Sequence, residues 1–402
     1  MAPIPRLAAY DGPPLFSYGF RPFFLAGSIW AAIAIGLWLP AYFGEIALPT
    51  AFSGLDWHVH EMLYGFLPAM VTGFLLTAIP NWTGRLPLQG RPLIVLAAVW
   101  LAGRIAILTS AWTSLGFAAA VDLAFLVLVG LAAGREVVAG GNWRNLKVVG
   151  ILSVFAIGNL VFHLEASGVI GGHHDHTVGH YGIRIGLGAG VLLIMLIGGR
   201  IVPSFTRNWL ARENPGRLPV TPNRFDIVAT LVAVVSIAAW IALPQAASTA
   251  ALLALSAALQ AIRFARWAGD RTWRDRLVLI LHVAYAFVPL GFALNAAAAL
   301  DLVPASAGLH AWAVGAVGTM SLAVMSRASL GHTGRALVAS PAAQLAYLAV
   351  VAATLARICA AVRPEWAFEG LHIAAFAWVA AFGLFVAAYF RVLAGPRAAG
   401  RP

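Results

Sequence analysis

The sequence predicts an all-α polytopic membrane protein of twelve transmembrane helices with both termini cytoplasmic. Three observations predict it: a composition 61% hydrophobic and only 10% charged, apolar runs of membrane-crossing length along the whole chain, and basic residues gathered on one side of those runs. A soluble domain is nearer half apolar and a quarter charged. The mean hydropathy of +0.85 spreads the apolar excess over all 402 residues rather than confining it to one anchor. A soluble globular enzyme, a disordered chain and a singly anchored receptor are excluded. The chain reads as a single integral membrane domain, 1–402.

Crossing about 30 Å of hydrocarbon takes about 20 apolar residues. Twelve runs meet that length: 22–44, 57–80, 91–109, 115–134, 146–169, 180–203, 224–243, 247–268, 276–299, 305–327, 340–362 and 369–391. Breaks are expected at turn chemistry, at Pro80-Asn81, Gly140-Gly141-Asn142, Asn214-Pro215-Gly216 and Ser340-Pro341.

Taken in order, the loops fix the orientation. Arg6 and Arg21 precede or open the first span. Arg85 and Arg91 join the second to the third, and Arg135, Arg144 and Lys147 the fourth to the fifth. Arg200, Arg207, Arg212, Arg217 and Arg224 end the sixth and open the seventh, with Arg263, Arg266, Arg271, Arg274 and Arg276 between the eighth and ninth. With Arg327, Arg335, Arg391, Arg397 and Arg401 these make 22 of the 26 basic residues, leaving Arg104, Arg184, Arg357 and Arg363 for the outer half. The positive-inside rule puts that richer side in the cytoplasm, and an even number of spans brings both termini there. The net charge of +11 is thus a topological label, and nucleic acid is not an expected partner. The N-terminal stretch to Phe20 is Pro-rich and polar, so no removable signal peptide is expected. Localisation in a bacterial inner membrane follows, with the lipid bilayer as the first partner.

The single cysteine, Cys359, excludes an internal disulfide and a cysteine-based metal finger. It excludes covalent c-type haem too, so any haem is a non-covalent haem b.

Nine of the eleven histidines fall on the outer side. His58 and His60 open the second span, His163 is in the outer third of the fifth, and His180, His310 and His372 open the sixth, tenth and twelfth. His173, His174 and His176 lie in the outer loop before the sixth span, and only His282 and His332 belong to the inner half. Imidazole inside a bundle is costly to desolvate unless it binds something, and it is the commonest metal ligand and a haem axial ligand. The alternative for any one of them is an interfacial histidine wetted by the outer surface. The His173–His176 loop is explained as well by a hydrophilic connection.

His58-Val59-His60-Glu61 is not a zinc-protease motif, because no second histidine follows four residues after the first. On a helix His58 and His60 diverge by about 200° and would serve different ligand sets. Glu61, three residues after His58, is a candidate to orient that ring from behind.

An internal repeat is legible. His60 to Arg85 and His310 to Arg335 match over 26 positions, pairing Gly65 with Gly315, Met70 with Met320 and Thr83-Gly84-Arg85 with Thr333-Gly334-Arg335. A fainter copy in the sixth span pairs Pro80–Thr83 with Pro203–Thr206. Spans two, six and ten are four apart, so three four-helix units are expected, at about 20–140, 141–270 and 271–395. Such a pseudo-threefold bundle would bring His60 and His310 to one depth as two axial ligands of a haem. The arrangement resembles the haem-copper oxidases, but the seventh span here has no histidine, so the copper ligation of that family does not transfer.

More specific motifs follow: Gly19-Phe20-Arg21-Pro22-Phe23-Phe24, Trp57-His58-Val59-His60-Glu61-Met62-Leu63-Tyr64-Gly65-Phe66, Pro80-Asn81-Trp82-Thr83-Gly84, Gly198-Gly199-Arg200-Ile201-Val202-Pro203 and Met325-Ser326-Arg327-Ala328-Ser329-Leu330-Gly331-His332-Thr333-Gly334-Arg335. Together they resemble the NnrS membrane proteins linked to nitric oxide tolerance and denitrification. The resemblance implies haem and copper, and it places the family's histidines at His58, His60, His163, His282, His310 and His332. His180 joins the metal candidates from its depth. Nitric oxide is small, neutral and lipid-soluble, so a membrane-embedded site can receive it directly. If the protein is an enzyme, it is an oxidoreductase resembling nitric oxide reductase, drawing electrons from quinol or a donor protein.

Among the remaining charges, Arg104 and Asp122 lie at similar depth in spans three and four and read as a structural ion pair, or else as a propionate anchor and a proton-transfer acid. Glu165, two residues after His163, is a further outer-shell candidate. Two other function classes stand beside the redox reading. A secondary transporter would place its binding groups near the midplane and break helices there. A haem or copper handling protein would hold the same ligands without redox turnover.

Overall fold

The computed structural model describes residues 10–170 and 181–398. Among them the regular structure is helical with no strand. Twelve helices are long and apolar enough to cross a membrane: α1 Phe20–Tyr42, α2 Gly54–Thr83, α3 Arg91–Leu108, α4 Leu115–Ala139, α5 Trp143–Ala166, α6 Tyr181–Glu213, α7 Arg224–Ala242, α8 Ala247–Ala265, α9 Arg276–Ala298, α10 Ala305–His332, α11 Pro341–Val362 and α12 Pro364–Ala394. The expected all-α, twelve-span membrane architecture is the observed one. Val95, Leu101 and Ile105 of α3 stay half exposed or more, as suits a surface solvated by lipid.

The boundaries carry their own chemistry. Ser53 caps α2 by accepting from the Asp56 amide at 3.0 Å and donating to its Oδ2 at 2.7 Å. Ser340 accepts from the Ala343 amide at 3.2 Å at the start of α11, where Pro341 fits the first helical position. The break expected at Pro80-Asn81 is absent. Pro80 sits in the last turn of α2, where its carbonyl still takes the Gly84 amide at 2.9 Å, and the helix ends instead at Gly84, whose φ of +71° favours glycine. The largest difference from the expected spans is α6. Its apolar run stops near residue 203, but the helix continues as a polar extension to Glu213.

Three spans contain a widened π-helical segment: Glu61–Phe66 in α2, Ile194–Gly198 in α6 and Ala311–Gly318 in α10. In α2 and α10 the regular helix ends on a histidine, His60 and His310, and the wide turn starts at the next residue. Thr83 and Thr333 close these two helices alike, donating to the carbonyls of Ile79 at 2.9 Å and Ser329 at 2.6 Å, each before a left-handed glycine. In α6 the wide turn lies about ten residues further along than the fainter repeat would place it.

The chain divides into two compact units. The first comprises the described residues within Met1–His176, Arg327–Ala336 and Phe382–Pro402, and the second those within Thr177–Ser326 and Leu337–Ala381. In the first, α3 packs on α4, α4 on α5 and α1 on α2, with α2 the most enclosed of these five helices. In the second, α8 packs on both α7 and α9, and α9 on α10. At the last contact Gly291 admits the ring of Trp312, which a Cβ would meet at 2.2 Å.

Candidate metal centre

Six ionisable or amide side chains meet inside the first unit, none more than 5% exposed: His60 and Glu61 from α2, Arg104 from α3, Asp122 from α4, and Asn159 and His163 from α5. Asn159 and His163 are four residues apart and therefore share a face of α5. His60 and Glu61 are neighbours, which a regular helix would point about 100° apart. They stand where the wide turn starts, and His60 Nδ1 lies 2.9 Å from Glu61 Oε1.

The carboxylates organise the rest. Arg104 donates through Nη1 to Glu61 Oε1 at 2.7 Å and through Nη2 to Asp122 Oδ1. Glu61 Oε2 accepts from the Trp30 indole of α1 at 2.6 Å. Asp122 Oδ2 accepts from Asn159 Nδ2 at 2.6 Å and lies 3.2 Å from both His60 Nε2 and His163 Nε2. Two glycines make room. A Cβ on Gly65 would stand 2.4 Å from Arg104 Nη1 and 2.8 Å from Glu61 Oε2, and one on Gly103 would stand 3.3 Å from the Asp122 Cα.

His60 Nε2, His163 Nε2 and Asp122 Oδ2 all lie within 4.8 Å of one another. Ligands of a tetrahedral ion bonded at about 2.0–2.1 Å sit about 3.3 Å apart, so the two 3.2 Å separations match a shared metal as well as hydrogen bonds. Two imidazoles and one carboxylate suit a borderline ion such as copper, zinc or iron(II). Glu61 on the far nitrogen of His60 completes a carboxylate–histidine–metal arrangement. Charge gives the same answer. Glu61 and Asp122 opposite Arg104 carry one formal negative charge in excess, and both ring nitrogens of His60 face carboxylate oxygens. A metal cation would complement that charge. Phe162 and Phe52 pack on the His60 ring at 5.4 and 5.7 Å and keep the cluster dry.

The other expected ligands lie elsewhere. His58 stacks on Trp38 at 4.1 Å, apart from the cluster, as the helical spacing required. Among the described residues the oxygens of Glu61 serve His60, Arg104 and Trp30, not His58. Glu165 is half-buried near the end of α5. In the second unit, His282 Nε2 is 2.7 Å from Thr206 Oγ1 while Gly269 packs against its Nδ1, and His310 donates from Nδ1 to the Ser306 carbonyl at 2.7 Å. His332 stacks on Tyr18 and packs tilted against Phe20 in the first unit, each ring centroid 5.7 Å away. The candidate positions His173, His174, His176 and His180 lie outside the described residues. Two participants escaped the sequence reading. Asn159 was findable as a polar residue one turn before His163, whereas Trp30 gives no local signal.

The model of the family described as NnrS protein matches residues 14–397, nearly the whole chain. The chain belongs to the NnrS family. The NnrS motif around residues 57–66 supplies the wide turn, both α2 members of the cluster and the glycine that admits Arg104. A search of curated proteins returned no match.

Proposed function

We propose that this NnrS protein holds a copper ion on His60, His163 and Asp122, and that nitric oxide entering from the lipid binds there as part of the nitric oxide response. The observation that carries the reading is the convergence of two imidazole nitrogens on one carboxylate oxygen inside an apolar membrane unit. Bound copper supplies the centre at which nitric oxide coordinates. The chain's own groups do the rest. Glu61 keeps the proton on His60 Nδ1 and so aims Nε2. Arg104 neutralises charge between the two carboxylates, Asn159 fixes Asp122 Oδ2, and the aromatic wall excludes water.

Haem b fits this cluster poorly. Two axial nitrogens stand opposite each other across the iron, whereas His60 and His163 converge side by side on one oxygen with ring centroids 5.0 Å apart. His310 is a better candidate to hold haem, because its Nδ1 donates to the Ser306 carbonyl at 2.7 Å, which fixes the ring's tautomer. We assign haem b to that ring as a proposal. The common helix-to-wide-turn junction after His60 and His310 supports the reading that α2 and α10 are copies of one ancestral element. The orientation we propose is an inner-membrane protein with both termini cytoplasmic, in which electrons for any reduction come from quinol or a donor protein. The balanced reaction is then two nitric oxide plus two protons and two electrons to nitrous oxide and water.

The test is metal analysis and nitric oxide difference spectroscopy on protein purified after copper loading. The wild type should hold about one copper at this site, and Asp122→Asn and His163→Ala should each lose it with the nitric oxide signal. Full copper content and an unchanged signal in both variants would refute the assignment. Nitrous oxide formation with a quinol donor separates turnover from binding alone.

A further inference from the structure

Where α1 begins and α12 ends, the first unit gathers cations that the proposed centre does not use. Arg21 is 4% exposed, and its Nη1 donates to the carbonyls of Leu393 and Gly395 at 2.9 and 2.6 Å, tying α1 to the end of α12. The Ala398 amide donates to the Thr333 carbonyl at 3.0 Å, laying the segment after α12 against the turn that follows α10. Arg335 stands on that turn, two residues after Thr333. Arg397 Nε lies 3.3 Å from where a Cβ on Gly334 would sit, and glycine is the fitting residue there because φ is +73°.

Arg335 and Arg397 thus stand at one turn, with Arg21 on the adjoining end of α12, and among the described residues no carboxylate pairs with any of the three. Arg335 Nη1 is shut off from solvent with no hydrogen-bond partner. A buried guanidinium nitrogen without an acceptor, beside two more cations, is unfavourable until an anion supplies oxygens. Forked guanidinium groups match the tetrahedral oxygens of phosphate. A cluster placed where membrane helices end meets the plane of lipid phosphates.

We propose that Arg21, Arg335 and Arg397 form a binding site for the phosphate of an anionic phospholipid, which closes the turn after α10 onto the ends of α1 and α12. Phosphatidylglycerol supplies that group with net negative charge, whereas phosphatidylcholine offsets it with its own cation. An arginine near a charged lipid surface is worth about a fivefold change in affinity.

The experiment is native mass spectrometry of the full chain carrying retained lipid, with titration of phosphatidylglycerol or phosphatidylcholine. The wild type should retain one phosphatidylglycerol that phosphatidylcholine does not replace. Arg335→Gln and Arg397→Gln should each weaken its retention roughly fivefold, and Arg335→Lys should recover part of it, with melting temperatures measured alongside to show that each variant is folded. Equal retention by wild type and both glutamine variants would overturn the proposal, as would equal retention of the two lipids. Displacement of the lipid by millimolar inorganic phosphate would overturn it in favour of a free-phosphate site.

Discussion

Replacing Gly65 with alanine tests whether the buried cluster is assembled as a unit. The added carbon would stand 2.4 Å from Arg104 Nη1 and 2.8 Å from Glu61 Oε2, both below the closest approach of ordinary carbon contacts. The end of an arginine usually swings away at little cost. Here it is 1% exposed and held by two carboxylates, so moving it breaks at least the 2.7 Å bond to Glu61. Breaking one arm of a buried ion pair costs about 3 kcal/mol, against a gain of at most about 1 kcal/mol from alanine's better helix propensity. The net expectation is a loss of about 2 kcal/mol together with loss of copper, since Glu61 no longer aims His60. Gly36 and Gly130 are the controls, because a Cβ on either meets nothing within 4 Å. Chemical denaturation in detergent, with metal content measured on the same preparations, reads both effects. If Gly65→Ala were as stable and as copper-replete as Gly36→Ala, the tight packing of Arg104 against α2 would be the wrong account.

Three further outcomes are expected. Trp30→Phe removes the donor to Glu61 Oε2 and should lower stability by about 2 kcal/mol while copper content, which depends on the other oxygen, is retained. Thr206→Val takes the partner from His282 Nε2 and should cost about 1–3 kcal/mol without changing copper content in the first unit. Arg217 hydrogen-bonds Asp270 outside the spans and holds its carboxyl below the usual carboxylate range. Whatever the pair contributes is therefore complete above about pH 4 and fades as the pH falls further, through the depressed folded value. Because both side chains are more than half exposed, Asp270→Asn should shift a neutral-pH unfolding curve by well under 1 kcal/mol.

The limits of several helices were legible because each depends on its own segment, as with apolar length and the break at Ser340-Pro341. The same local logic failed at Pro80, since a proline in the final turn loses one bond without ending the helix. It failed also along α6, where polar residues past 203 stay helical outside the apolar run. At the site, His60, Arg104, Asp122 and His163 were visible one by one, as ionisable groups in apolar spans. The Arg104–Asp122 pair was legible from their matching depth, but the convergence of His60 and His163 on it was not, because it depends on how α2, α3, α4 and α5 pack. Glu61 looked three residues back, to His58, on the assumption of a regular helix. In the structure its oxygens meet His60, Arg104 and Trp30, and nothing in the local spacing announces that.

Arg104 and Asp122 stand on consecutive spans, α3 and α4, joined by the short segment 109–114. That neighbourhood bears on how the chain enters the bilayer during synthesis. A lone arginine or aspartate raises the insertion free energy of a helix by about 2.5–3.5 kcal/mol at its centre, and Arg104 and Asp122, nearer the helix ends, each carry part of that cost. Bonded to each other, the two groups cross as a near-neutral pair, which His163 of the later α5 finds already in place. The α3–α4 hairpin, rather than either helix alone, is then the unit that the membrane accepts.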